Sequence, residues 1–274
     1  MEARNCQVVK QILIIAGSGD FPILVAQQAK NQSFTVNAIG FIGETSKNIE
    51  SFVDRIEWVD VGSFSLFLEK ISFFSPSDAI FAGQIEPSNL FKDIPIDVKL
   101  KAFLRGLKDK RADTIFGAAA DLLPKHKIKL ISSVRFLKEM FIPQGIIAGS
   151  SLTDEERKDV QLGFNIAKEL GRLDIGQTVV IKQGSILAVE AIEGTDEAIK
   201  RGGRLGNGNV VVVKVAKPKQ DVRFDVPVIG PKTMESLIEA KAGVLAFEAG
   251  KTLVFNKQEC VEIANKNNIK IVAI

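Results

Sequence analysis

Carboxylates, hydroxyls and an arginine crowd into two short stretches of the C-terminal half. The first is Ala188-Val-Glu-Ala-Ile-Glu-Gly-Thr-Asp196, where Glu190 and Glu193 end an apolar run, Gly194 permits a sharp turn, and Thr195 and Asp196 open the next segment. Side chains alternate faces along a regular strand, so the two glutamates converge only where the backbone departs from that geometry before Gly194. The plainer reading makes Thr195 or Asp196 a helix N-cap and leaves both glutamates solvated. The second stretch is Gln220-Asp-Val-Arg-Phe-Asp-Val-Pro227. Its strict alternation sets Asp221, Arg223 and Asp225 on one face of an extended segment and Val222, Phe224 and Val226 on the other. Two acids flanking an arginine suit a metal–phosphate site, in which the acids bind the cation and the guanidinium grips phosphate oxygens in bidentate fashion. A surface strand with a self-neutralising face is the competing reading. Gly230-Pro231 follows, with proline at a position favoured for a helix start, so a helix N-terminus lies near in sequence.

Three further features carry possible chemistry. Lys214 lies inside the apolar run Val210–Ala216, and a lysine buried there needs a partner. A phosphate would serve, and so would snorkelling at the strand end. Ile15-Ala-Gly-Ser-Gly-Asp-Phe-Pro22 places Gly17, Ser18 and Gly19 between a strand and a helix, where backbone N–H groups can meet a phosphate. A tight strand-to-helix turn explains it equally well. It is not a dinucleotide fingerprint, because Pro22 takes the third glycine position and no acid ends the second strand to hold a ribose. Lys99, Lys101, Arg105, Lys108, Lys110 and Arg111 face a single nearby acid, Asp109. Together with the stripe Leu100, Phe103, Leu104 and Leu107 they make a basic amphipathic helix that could rest on an anionic membrane. Its structural alternative packs the stripe on the core and leaves the basic face in water.

One count excludes much. His126 is the single histidine, so a histidine-rich metal site or a paired-histidine mechanism cannot be built. Carboxylates, lysines, arginines and hydroxyls remain, and hard oxygen ligands select Mg²⁺ or Mn²⁺ over Zn²⁺.

The elements that must position these residues can be read from periodicity. Ile12–Ala16 is a strand-sized apolar run, Ile23–Lys30 has helical patterning, Phe34–Phe41 is apolar again, Leu66–Ile71 is helical, and Ala79–Phe81 reads as a third strand entered through Ser75-Pro-Ser-Asp78. This alternation implies βαβ units and a parallel, Rossmann-like sheet. From Asp97 to about Leu137 the pattern reads as helical. Phe141–Gly145 reads as an extended linker. Thr153 with Glu156 forms a capping box for a helix over 153–171. Strands are expected at Thr178–Lys182, Ile186–Ala191, Val210–Ala216, Val244–Glu248, Thr252–Phe255 and Ile269–Ile274, and helices at Thr195–Arg201, Pro231–Lys241 and Lys257–Asn267. The expectation is an α/β protein with a Rossmann-like N-terminal domain over 1–132, a linker over 133–143, and a mixed α/β catalytic domain over 144–274. A length of 274 residues suits two domains.

The net charge of +3 is too small for a nucleic-acid partner. Cys6 and Cys260 lie at opposite ends without framework spacing, which fits a reduced cytoplasmic protein. Met1–Lys10 is polar and lacks the apolar core of a signal peptide, and no run reaches the roughly 18 apolar residues of a spanning helix.

Taken together, these motifs resemble the UDP-2,3-diacylglucosamine pyrophosphatase family of lipid A synthesis that lacks the calcineurin-like fold. The resemblance runs through Ile15–Pro22, Asp174-Ile-Gly-Gln177, Ala188–Asp196 with Arg201, Lys214, Lys217-Pro218, Gln220–Pro227, Ile229-Gly230 and Thr233. It implies two α/β domains with substrate bound between them. It also implies Mg²⁺-dependent attack of water on the α-phosphorus, releasing UMP and the acylated sugar 1-phosphate. Cytoplasmic work, peripheral to the inner membrane of a Gram-negative cell, follows from the same likeness, and a homodimer is one assembly left open. By that resemblance Asp225 binds metal or positions water, with Asp221, Glu190 and Glu193 as further ligands or catalytic acids. Arg223 and Lys214 neutralise the pyrophosphate. Thr195 and Asp196 hold phosphate or a water network, while Gly17, Ser18, Gly19, Arg201, Gln220 and Thr233 contact substrate. Two other readings remain. A nicotinamide-dependent oxidoreductase on the N-terminal domain is opposed by Pro22, and a non-catalytic UDP-lipid carrier is opposed by the intact acid set.

Overall fold

The computed structural model describes residues 10–83, 96–108, 117–218 and 226–274. Among them, residues up to Leu137 form one compact unit and residues from Lys138 onward form a second.

The N-terminal unit is built on β1 (Gln11–Ala16), β2 (Thr35–Phe41), β3 (Arg55–Val59), β4 (Asp78–Ala82) and β5 (Lys129–Leu130), a parallel sheet in the order β3-β2-β1-β4-β5. Helices α1 (Phe21–Asn31), α2 (Phe64–Phe74) and α3 (Val98–Arg105) join it. Burial of Ile12 to Ala16 on both faces explains why β1 is a continuous apolar run. The strand order reverses on either side of β1, which is the switch point of a Rossmann-like sheet, where ligands gather beyond the strand ends. Thr45 is buried there. Its Oγ1 donates to the Ala16 carbonyl at 2.5 Å and accepts from Phe41 N at 2.9 Å.

Two expectations need correction. Ala79–Phe81 belongs to the fourth strand, because Arg55–Val59 is the third. That strand lies at the sheet edge, where charged Arg55 and Glu57 are tolerated, so it lacks the apolar run that marks β1. The helical stretch from Asp97 to Leu137 is also not continuous. α3 ends at Arg105, and 3₁₀ turns at Leu123–His126 and Ser133–Phe136 flank the short strand β5. Pro124 begins the first of these turns, where proline lacks the N–H needed inside a helix. The apolar stripe of α3 packs inward: Leu100 is buried, and the Phe103 ring stacks on Phe64 of α2 at 5.0 Å. Lys99, Lys101 and Arg105 are exposed. Lys110 and Arg111 lie outside the described residues.

The C-terminal unit holds a mixed sheet in the order β6-β13-β11-β9-β7-β8, from β6 (Gly145–Ala148), β7 (Thr178–Lys182), β8 (Ser185–Val189), β9 (Val211–Lys214), β11 (Val244–Phe247) and β13 (Lys270–Ala273). β10 (Val228–Ile229) and β12 (Leu253–Val254) pair as a separate ribbon. Alternation along β9 divides the core. Val211, Val213 and Val215 pack with Val160 and Ala167 of α4 (Asp154–Arg172). Val210 and Val212 pack with Ile199 of α5 (Gly194–Gly206) and with Met234 and Leu237 of α6 (Pro231–Glu239). α7 (Lys257–Lys266) contributes Cys260 and Ala264 to the latter core. α4 opens with the expected capping box, Thr153 and Glu156 exchanging hydrogen bonds at 3.2 and 2.7 Å. No helix among the described residues is long and apolar enough to cross a membrane.

Candidate functional site

β9, β11 and β13 run parallel and their ends are level, Lys214 beside Phe247 and Phe247 beside Ala273. β7 runs the other way, so its first residue, Thr178, lies opposite Lys214. β8 turns back again and delivers Glu190 to the same edge, where Glu190 N donates to the Thr178 carbonyl at 2.8 Å. Sequence-distant polar residues thus meet at one rim of the sheet.

Glu190 is buried. One carboxylate oxygen accepts from Thr195 Oγ1 at 3.0 Å and the other from Gln177 N at 3.2 Å. Thr195 Oγ1 also lies 3.5 Å from Thr178 Oγ1. Glycine is required at position 176, because a Cβ there would lie 2.1 Å from the Glu190 carbonyl oxygen. Gln177 Oε1 is buried without a hydrogen-bond partner among the described residues.

Glu193 belongs to a separate group. It accepts from Arg201 Nη2 at 2.5 Å and from Ala191 N at 3.2 Å, while Arg201 also donates to the Val189 carbonyl at 2.9 Å. Burial pushes the Glu193 carboxyl up, but hydrogen bonds from its own N–H, Arg201 and Ala191 outweigh burial and hold it below the ordinary carboxylate value. Glu190 and Glu193 therefore keep different partners, and Arg201 is engaged with the exposed one.

Two helix starts also lie at this rim. α5 starts at Gly194 and α6 at Pro231, and neither start has a side-chain capping bond among the described residues. Gly194 N donates to the Ala191 carbonyl at 3.2 Å and Pro231 has no N–H, so any donors left at these starts are the N–H groups of the residues that follow. Asp196 in the first turn of α5 pairs with Lys232 in the first turn of α6 at 3.4 Å, so the two helix starts lie side by side. Thr233 is buried in that same turn of α6. Lys214 is buried as well, and its ammonium donates to the Val228 carbonyl at 2.9 Å. That single described bond leaves an ammonium two further donors.

Glu190, Thr195, Asp196, Lys214 and Thr233 are thus gathered in the C-terminal unit. Gly17, Ser18 and Gly19 belong to the N-terminal unit, where Gly17 N donates to the Ala82 carbonyl at 2.7 Å, at the switch point of the sheet. Gln220, Asp221, Arg223 and Asp225 lie outside the described residues. The described residues alone gather no cluster of three acids, cysteines or histidines able to hold a metal. Their oxygen donors, Glu190 with Thr195 and Thr178, are nevertheless of the hard class that Mg²⁺ prefers. Sequence reasoning named Gln177 within a family motif but did not single out Thr178, Lys168 or Glu248. Lys168 pairs with buried Glu248 at 2.9 Å, and a charged residue ending the apolar run Val244–Phe247 was the available signal.

Comparison with known proteins agrees with this architecture. Residues 11–140 match the LpxI N-terminal domain and residues 143–272 match the LpxI C-terminal domain. The UDP-2,3-diacylglucosamine pyrophosphatase LpxI of Caulobacter vibrioides is 27% identical over 280 residues, covering 97% of this chain and 98% of that protein. A solved structure of the biotin carboxylase domain dimer of Hydrogenobacter thermophilus 2-oxoglutarate carboxylase is similar over 72% of this chain and 41% of that one. Its identity of 14% and TM-score of 0.24 carry no argument. Two domain matches in family order, spanning nearly the whole chain, place the protein in the LpxI family.

Proposed function

We propose that the protein hydrolyses the pyrophosphate of UDP-2,3-diacylglucosamine, giving UMP and 2,3-diacylglucosamine 1-phosphate for lipid A synthesis. The observation that carries this reading is the meeting of two uncapped helix starts, buried Lys214 and buried Glu190 on one rim, in a chain of this family. Phosphoryl transfer asks a protein mainly for positioning and for neutralising charge. The Lys214 ammonium and the helix N–H groups meet the phosphate oxygens, and Thr195 holds Glu190 in place. The Glu190 carboxylate serves as a hard ligand, with Asp221 and Asp225 completing the set, and Asp225 alternatively orients the attacking water. Arg223 takes a share of the pyrophosphate charge. A bound Mg²⁺, or Mn²⁺, would polarise the phosphoryl group and acidify coordinated water. The water oxygen adds to the α-phosphorus, the bond to the bridging oxygen breaks, and that oxygen leaves with the sugar 1-phosphate. Work at the anionic inner-membrane surface belongs to the same proposal.

The test is turnover of UDP-2,3-diacylglucosamine in ¹⁸O-water, with and without Mg²⁺, read by mass spectrometry. Metal-dependent release of UMP carrying the label is expected. Label in the sugar 1-phosphate would overturn attack at the α-phosphorus, and binding without turnover would favour a carrier. Asp225→Ala is expected to abolish turnover while substrate still binds.

A further inference from the structure

One half-buried charge pair grips the chain that leaves the rim. Lys168, near the end of α4, and Glu248, just past β11, form an ion pair at 2.9 Å, with Glu248 buried. Both also bind the same residue. The Lys168 ammonium donates to the Ala216 carbonyl at 2.7 Å, and Ala216 N donates to Glu248 Oε2 at 2.9 Å. Neighbouring bonds extend the grip, since Glu248 N donates to the Lys214 carbonyl at 3.1 Å and Val215 N to the Gln177 carbonyl at 3.0 Å. Lys251 supplies a second cation to Glu248 at 2.9 Å. Burial raises the Glu248 carboxyl, but Lys251, Lys168 and the Ala216 N–H more than offset it and keep the group ionised.

A buried ion pair is a poor way to gain stability, because desolvation consumes most of the attraction, and apolar residues of similar volume often serve as well or better. What such a pair can supply is one defined arrangement. The clamp holds the backbone of residues 214–216 from the α4 face, and by alternation along β9 the Lys214 side chain projects from the opposite face. We propose that Lys168 and Glu248 are positioning residues: by fixing both polar groups of Ala216 they set the place of the Lys214 ammonium against the phosphates. This rests on the function proposed above.

The experiment compares wild type with Lys168→Met/Glu248→Leu, Lys168→Met and Lys168→Arg, by thermal melting and by kcat and KM on UDP-2,3-diacylglucosamine. The double variant removes both charges together but leaves the Ala216 N–H and carbonyl without those partners, so it is expected to melt at or modestly below the wild-type temperature. Its kcat is expected to fall about 10-fold or more, since displacement by about 1 Å can cost about 100-fold, while KM changes less. Lys168→Arg keeps two donors and is expected to recover most of kcat. If the double variant does not fold, Lys168→Met is read below its melting temperature with the same expectation. A wild-type kcat in the folded variants would overturn the proposal, as would a loss that tracks the unfolded fraction. Absence of wild-type turnover would instead defeat the underlying function, and this inference with it.

Discussion

Lys214 is a buried ammonium at the rim proposed to take the phosphates. Burial of an ammonium with one carbonyl partner among the described residues is unfavourable for folding, and a phosphate at the helix starts would supply a counter-charge. Lys214→Met keeps the length of the side chain and removes that burden. The expected outcome is a melting temperature equal to or above wild type, with UMP binding weakened about 10- to 100-fold, the scale of one charge-assisted hydrogen bond at about 1.5–3 kcal/mol. Calorimetric titration of UMP beside a thermal melt checks both. A lower melting temperature with unchanged affinity would make Lys214 a structural residue only.

At the scale of elements, the site depends on how α5 crosses α6. A Cβ added at Gly203 would lie 2.4 Å from Ala240 Cα and 2.6 Å from its carbonyl oxygen. Backbone is the obstacle, so no side-chain rotation relieves the clash. Gly203→Ala is therefore expected to cost about 1–3 kcal/mol, seen as a fall of several degrees in melting temperature. It should also part the two helix starts that the Asp196–Lys232 pair joins, weakening UMP binding in the folded fraction. Unchanged binding in the folded variant would show that the helix starts do not act together on the anion. Helix identity was legible beforehand. Pro231, Thr153 with Glu156, and the periodicity of 153–171 marked α6 and α4 from local chemistry alone. The closeness of Gly203 to Ala240 was not legible, because it depends on which face of each helix the sheet covers.

Across the whole molecule, ionisation ties stability to pH. Glu156, Glu193 and Glu248 are each raised by burial and lowered further by their hydrogen-bond and cationic partners, so all three lie below the ordinary glutamate value of 4.5. The folded state therefore holds these protons less tightly than the unfolded chain. The resulting stability is present above about pH 4.5 and is lost as pH falls through the folded values. Cys260 behaves oppositely. Burial, aided by Glu259, pushes its thiol from 9.0 up to about 11, so its contribution is present below pH 9 and declines between 9 and about 11. Melts across pH are expected to show an acid loss and an alkaline loss, the latter flattened by Cys260→Ala. An alkaline limb unchanged by that substitution would assign it to other groups.

Sequence alone determined the class of the protein and much of its element list, because buried parallel strands, caps and prolines are local signals. It also narrowed the chemistry available, since a single histidine excludes a histidine-rich metal site. The edge strand Arg55–Val59 escaped because a strand open to water on one side has no reason to be uniformly apolar. The tertiary structure alone decided which candidates meet. It joined Glu190 to Gln177 and Thr195, engaged Glu193 with Arg201, and tied Lys168 to Glu248 across 80 positions. The physical reason lies in sheet order: β9, β11 and β13 are distant in sequence, and only their parallel pairing, with β7 and β8 folded back beside them, brings their ends to one rim.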